Sequence, residues 1–151
     1  MNAAKSVETP TGRFSLFESD GAIIRAGWRG THDDDTALLR MAAAQVRAYF
    51  NGDLTRFDLP LRVVATDFQR DVCAAIAAIP FGETRTYGDL ARDLGSPAQA
   101  IGQGCGGNPI PLIIPCHRVL GANGLGGFSG EHGVETKVAL LRHEGAASLL
   151  I

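Results

Sequence analysis

Thr86-Tyr87-Gly88-Asp89-Leu90-Ala91-Arg92-Asp93-Leu94-Gly95-Ser96-Pro97-Ala98-Gln99 is the stretch whose reading decides the fold. Thr86 is a preferred N-cap residue, so a helix starts after it and runs to about Leu94. Gly95 ends that helix, because glycine takes the left-handed conformation at a C-terminus without a Cβ penalty. Ser96-Pro97-Ala98-Gln99 reads as a capping box with proline at the first helical position, which opens another helix reaching Cys105 or Gly106. Two short helices joined across one glycine resemble a helix-turn-helix, a DNA-binding element whose geometry also serves plain packing. The second helix contains Ala98, Ala100, Gly102, Gly104 and Gly106. An interior glycine costs about 1 kcal/mol relative to alanine. Small residues let a backbone approach something closely, either a packed neighbour or a DNA groove.

Upstream, Thr66-Asp67-Phe68-Gln69 matches a capping box. Phe68, Val72, Ala75, Ile76 and Ile79 then form an apolar helical stripe, stopped by Pro80, with Cys73 as a packing residue. Residues 81–85 read as a turn. In the first half, strand-like runs at 13–18 and 22–28 are joined through Asp20-Gly21, a tight-hairpin signal. Asp35 or Thr36 caps a helix that carries Leu38, Leu39, Ala42, Val46 and Tyr49 at helical spacing and ends at Asn51-Gly52. Residues 57–61 suggest a short extended segment, Asp33-Asp34-Asp35 a solvated loop, and residues 1–8 a frayed tail. The expected fold is an α/β N-terminal domain with a small sheet and a helix over residues 1–62. An all-α-rich, helix-turn-helix, winged-helix-like domain follows over residues 63–151. The first domain carries no recognisable chemistry and reads as a scaffold.

The chain has 151 residues, 45% of them hydrophobic, with no long apolar run, so no membrane partner is expected. The N-terminus lacks the basic-then-apolar pattern of a signal peptide. Cys73, Cys105 and Cys116 form no C-x-x-C pair and no metal spacing. An odd count without a secretion signal fits a reducing, cytoplasmic compartment. The formal charge of −2 does not advertise a nucleic-acid binder. Arg85, Arg92 and Arg118 are balanced by Glu83, Asp89 and Asp93. Any DNA contact must therefore come from local charge, backbone amides and shape.

The chemistry concentrates in Ile114-Pro115-Cys116-His117-Arg118-Val119. A thiolate is the nucleophilic form of cysteine, and neighbouring cations or imidazole raise its population. The apolar string Pro111-Leu112-Ile113-Ile114-Pro115 argues for a strand end against a core. A free cysteine can also be merely a small buried hydrophobe.

Pro-Cys-His-Arg-Val, with Gly107-Asn108-Pro109 before it and a glycine-rich tail after it, resembles the signature of the O6-alkylguanine-DNA alkyltransferase family. The resemblance runs almost continuously from Thr66 to Gly145. It implies direct repair of double-stranded DNA by irreversible transfer of the alkyl group from O6-alkylguanine, and from O4-alkylthymine, to Cys116. Each molecule then acts once. His117 takes the place of a general base working through a bound water. Glu144, in Leu140-Leu141-Arg142-His143-Glu144-Gly145, takes that of the carboxylate orienting it. The result is a Cys-water-His-Glu relay related to the hydrolase triads.

The resemblance also gives Asn108 the role of tying the recognition helix to the active-site turn, and Tyr87 that of helping the guanine depart. Pro111, Val119, Phe128 and Ser129 correspond to walls of the base pocket, and Lys137 to a structural or active-site lysine. Thr86, Ala98, Gln99, Gly102 and Arg118 fall on the implied DNA-binding side. Gln99 stands where the family commonly has an arginine finger, and it is also the fourth residue of the box starting at Ser96. No cofactor is implied, because the cysteine is itself the second substrate. Some members carry an N-terminal zinc; that region has no cysteine here, so no metal is expected. A monomer is expected. The alternative is an alkyltransferase-like protein that binds the lesion without efficient transfer.

Overall fold

The computed structural model describes residues 2–122, 124–125 and 133–146. The chain divides into two compact units, Met1–Val63 and Val64–Ile151.

In the first unit, β1 (Asn2–Thr9), β2 (Gly12–Ser19) and β3 (Ala22–Gly27) form an antiparallel sheet in that order. The β2–β3 turn is Asp20-Gly21, with φ of 50° and 80°. Both central residues thus lie at positive φ, the conformation that matches hairpin twist. Helix α1 (Ala37–Phe50) packs on the sheet, and the Thr36 hydroxyl caps it by accepting from Leu39 N. Phe14, Leu16, Ile23, Leu39, Val46 and Tyr49 are fully buried in this unit's core.

The N-terminal residues depart from the expected frayed tail. Asn2 pairs with Ser19 and the ladder continues to Thr9 opposite Gly12. The free edge of β1 is also used. Ser6 N donates to the His32 carbonyl, and Asp34 N to that of Ala4, while the Asp34 carboxylate accepts from Ala4 N. Backbone pairing on both sides orders a segment whose small and polar side chains carry little strand signal of their own. It also draws the acidic run out of a purely solvated role. The extended segment near residue 60 lies along β3, with Ile23 N donating to Pro60 O and Arg62 N to Ile23 O.

In the second unit, α2 (Asp67–Ala77), α3 (Tyr87–Leu94), α4 (Ala98–Gly106) and α5 (Val134–His143) surround an apolar interior. Val72, Ile76, Leu90, Ile101, Leu112, Ile114, Val119 and Leu140 are buried there. Strands β4 (Arg85–Thr86) and β5 (Val119–Leu120) make a two-residue parallel pair. No described helix is long and apolar enough to cross a membrane.

Two capping assignments change. Thr66 accepts from Gln69 N, but the Gln69 side chain turns away, to the carbonyl of Gly104. The reciprocal box belongs to α3, where Thr86 Oγ1 accepts from Asp89 N and Asp89 Oδ2 from Thr86 N. Ser96 caps nothing. Its N–H closes the end of α3 on Ala91 O, around Gly95 at φ 63°. The N-cap of α4 is then Pro97, with no side-chain cap bond. Gln99 therefore has no capping duty.

Candidate active site

Cys116, His117 and Arg118 form one buried 3-10 turn that leads directly into β5, so they stand at a strand end against the core, in a turn and not in the strand itself. The apolar string before it bends back on itself. Ile114 N donates to Ile110 O, and Leu112 sits at φ 73°, a left-handed conformation that costs a branched side chain energy. Asn108 holds this bend. It is buried, its Nδ2 donates 2.8 Å to Ile114 O, and its Oδ1 accepts 3.0 Å from Ile110 N. Cys116 N donates to the same Ile114 carbonyl at 2.8 Å.

His117 is fully buried, with Nε2 2.8 Å from Glu144 Oε2. A carboxylate can only accept, so Nε2 carries the proton and Nδ1 of the neutral ring is an acceptor. Nδ1 is buried and has no hydrogen-bond partner among the described residues. Burial keeps the imidazole below its ordinary pKa against the pull of Glu144, with Arg118 and Lys137 reinforcing burial. Neutral His117 is therefore the resting form at neutral pH.

Glu144, just past α5, is shared. Arg118 donates Nε to Oε1 at 2.8 Å and Nη2 to Oε2 at 3.0 Å, and its Nη1 reaches the Ile79 carbonyl at 2.6 Å. Arg118 was expected on the DNA side. It is instead only 6% exposed, and its guanidinium faces inward. The alternation of side chains along a strand does not apply in a 3-10 turn, so sequence adjacency to His117 gave no direction for it.

Cys116 is also buried, and burial pushes its thiol up to about 11, opposed by Asn108 and Lys137. Cys105, nearby on α4, is pushed up to about 12 by burial and by Cys116. Burial likewise raises Cys73. Lys137 of α5 donates Nζ to Val119 O at 2.7 Å and lies 6.0 Å from the centre of the Tyr87 ring. Burial raises the Tyr87 phenol, and Cys105 and Cys116 add to it, so Tyr87 keeps its proton at neutral pH.

The fold thus gathers Cys116, His117, Glu144, Asn108, Lys137 and Val119, with Tyr87 against Lys137. Pro111 is buried in the bend beside them. Phe128 and Ser129 lie outside the described residues. Thr86 is occupied in the α3 cap. Ala98 and Gln99 are exposed and Gly102 is half-buried. Among the described residues, an added Cβ at Gly102 or Gly106 meets nothing within 4 Å, whereas one at Gly104 would lie 3.0 Å from Val72 and one at Gly107 2.8 Å from Gln69 Oε1. Packing explains the last two glycines and leaves the first two unexplained from within. Sequence reading missed the Arg118–Glu144 pair and the contacts of Gln69. No local motif announces either, since the partners lie 26 and 35 residues apart. Among the described residues no group of His, Cys, Asp and Glu could hold a metal ion.

A desolvated, protonated thiol, followed in the same turn by a neutral imidazole whose acceptor nitrogen has no partner among the described residues, suits a nucleophile that ionises only as it reacts. Comparison with known proteins points the same way. Residues 67–146 match the family described as 6-O-methylguanine DNA methyltransferase, DNA binding domain. A methylated-DNA–protein-cysteine methyltransferase of Mycolicibacterium paratuberculosis is 37% identical over 165 residues, covering 97% of this chain and 96% of that protein. The crystal structure of Mycobacterium tuberculosis O6-methylguanine methyltransferase superposes with a TM-score of 0.86 at 36% identity, covering 96% of this chain and 93% of that one. Mycobacterium tuberculosis OGT in complex with DNA gives 0.83 at 40% identity, over 94% and 92%. With similarity along nearly the whole length and the Pro-Cys-His-Arg turn intact, the chain belongs to the methylated-DNA–protein-cysteine methyltransferase family.

Proposed function

We propose that this protein repairs O6-alkylguanine, and O4-alkylthymine, in double-stranded DNA by moving the alkyl group irreversibly to Cys116 Sγ. The carrying observation is the buried Cys116 thiol next in sequence to His117, whose Nδ1 has no hydrogen-bond partner among the described residues and whose Nε2 is fixed by Glu144. His117 Nδ1 takes the thiol proton through one water as sulfur attacks the alkyl carbon. The S–C bond forms as the C–O6 bond breaks, and the departing guanine oxygen receives the Tyr87 phenol proton. Proton return from His117 through solvent restores Tyr87. Lys137 favours the developing thiolate, and Asn108 fixes the turn that carries it. Pro111, Val119, Phe128 and Ser129 wall the pocket for the extruded base. The thioether has no route back to thiol, so each molecule reacts once.

Residues 63–151 form the DNA-binding and active-site domain, and residues 1–62 its scaffold. Helices α3 and α4 act as a helix-turn-helix of the winged-helix kind, with Ala98, Gln99 and Gly102 toward DNA. The open space over Gly102 supports this, because no contact among the described residues requires that glycine. The protein works in the cytoplasm as a monomer. The lesion-binding alternative without transfer is disfavoured by the retained cysteine. Incubation with a duplex containing O6-methylguanine should add one methyl mass to the Cys116 peptide; methyl on Cys73 or Cys105 instead would sink the assignment.

DNA affinity should depend only modestly on salt, because few counterions are displaced. In residues 64–151, Arg118 and Lys137 are buried, Arg85 pairs with Asp93 at 2.8 Å, Arg70 and Arg92 pair with Asp67 and Asp89, and Arg142 is one exposed cation in the last turn of α5. Gln99 fills the gap left by the extruded base. Gln99→Ala should therefore slow duplex repair while reaction with free O6-benzylguanine and the melting temperature stay unchanged. Equal slowing of both reactions would remove Gln99 from the extrusion step.

A further inference from the structure

We propose that Gln69 and Cys73 of α2 are positioning residues for the acceptor thiol, acting through Asn108; this rests on the alkyl-transfer reading of Cys116. Gln69 Nε2 donates 2.7 Å to the carbonyl of Gly104 near the end of α4 and lies 3.4 Å from Cys73 Sγ. Cys73 Sγ is 3.9 Å from Asn108 Oδ1, within reach of an S–H donor. Asn108 then grips Ile114 O, the carbonyl that also receives Cys116 N–H. A continuous path of contacts thus runs from α2 to the backbone of the nucleophile.

The path specifies an orientation. Asn108 Oδ1 faces two donors, Ile110 N–H and Cys73 S–H, while Nδ2 faces an acceptor. A flipped amide would set NH₂ against both donors and oxygen against oxygen. Only the observed orientation offers the amide N–H side to the acceptor turn. Loss of the Cys73 donor leaves that orientation resting on Ile110 alone. Gln69 fixes Cys73 from behind and ties the end of α4 to α2.

The glycine after α4 corroborates the role of Gln69. Gly107 has φ −90°, which alanine adopts without strain, yet a Cβ there would sit 2.8 Å from Gln69 Oε1. The space is reserved for the Gln69 carboxamide, not for an unusual backbone.

Around Cys116 stand Lys137 of α5, Cys105 of α4, Cys73 of α2, Tyr87 of α3, and the adjoining His117, Arg118 and Glu144. Of these, Lys137 opposes the effect of burial on the thiol, as the Asn108 amide also does. Weakening Asn108 raises the thiol further, so passing its proton to the His117 relay costs more at every pH below the thiol midpoint, and the limb of the rate profile that reports direct thiol ionisation moves to higher pH.

The test uses the full-length protein with free O6-benzylguanine, in single turnovers across pH. Gln69→Leu and Cys73→Ala should each react roughly three- to tenfold more slowly at pH 7, with the profile displaced upward in pH. Cys73→Ser keeps a donor and should regain most of the lost rate. Gly107→Ala, which displaces the carboxamide, should reproduce Gln69→Leu and add nothing to it in the double variant. A fall in melting temperature with rate and pH profile unchanged would overturn the proposal, as would Cys73→Ser behaving like Cys73→Ala. Wild type is assayed alongside: if it transfers nothing to Cys116, the alkyl-transfer reading itself falls and this inference with it.

Discussion

Cys116→Ser should abolish alkyl transfer, by on the order of 10⁴-fold or more, while lesion binding persists. Serine preserves the size of a buried side chain in a tight turn, so the fold has little to lose. The hydroxyl is far harder to ionise than even this thiol, which burial already holds at about 11. It is also the weaker nucleophile once ionised. His117 cannot compensate, because its own basicity is reduced by burial. Binding should survive because the exposed residues of α4 are untouched. Single-turnover reaction with duplex O6-methylguanine, followed by peptide mass analysis and gel shift, separates the two effects. Methyl groups appearing on Cys73 or Cys105 in the variant, or transfer at near wild-type rate, would show that Cys116 is not the acceptor.

Glu144→Gln should cost both rate and stability, the latter by about 3 kcal/mol. The two Glu144 oxygens receive His117 Nε2–H and two Arg118 donors. A carboxamide must set its NH₂ against at least one of these donors, and the buried guanidinium loses its counter-charge. If the NH₂ faces His117, the ring must accept at Nε2 and carry its proton on Nδ1. The acceptor needed for the thiol proton is then gone, and transfer should slow by about 10²- to 10⁴-fold. Arg118→Met combined with Glu144→Gln removes the stranded charge, so it should recover much of the stability in urea titration and none of the rate. A double variant that recovers the rate would make the role of Glu144 purely structural.

The helices were legible where their ends are written in side chains. Thr66 and Thr86 cap α2 and α3 as read, Thr36 is the one of two candidates that caps α1, and Gly95 closes α3. The box at Ser96 was misleading because its amide is consumed by the preceding helix, which a local motif does not register. Strand β1 was invisible for the opposite reason. Its order comes from partners in β2 and at residues 32–34, not from alternation in Asn2-Ala3-Ala4-Lys5. At the site, the Pro-Cys-His-Arg string named the residues but not their directions. Arg118 faces Glu144 from a 3-10 turn that follows the bend Asn108 braces at Ile114 O, a contact no local pattern encodes.

The elevated thiol of Cys116 has a consequence for shelf life. A reagent consumed in one reaction must survive unspent until its substrate arrives. With burial pushing the thiol up to about 11, nearly every molecule holds it protonated at pH 7. Peroxides and stray electrophiles, which select for thiolate character and exposure, find neither. Burial thus slows the chemistry that would waste the protein, and it leaves ionisation to be driven by the His117 relay when the base is seated.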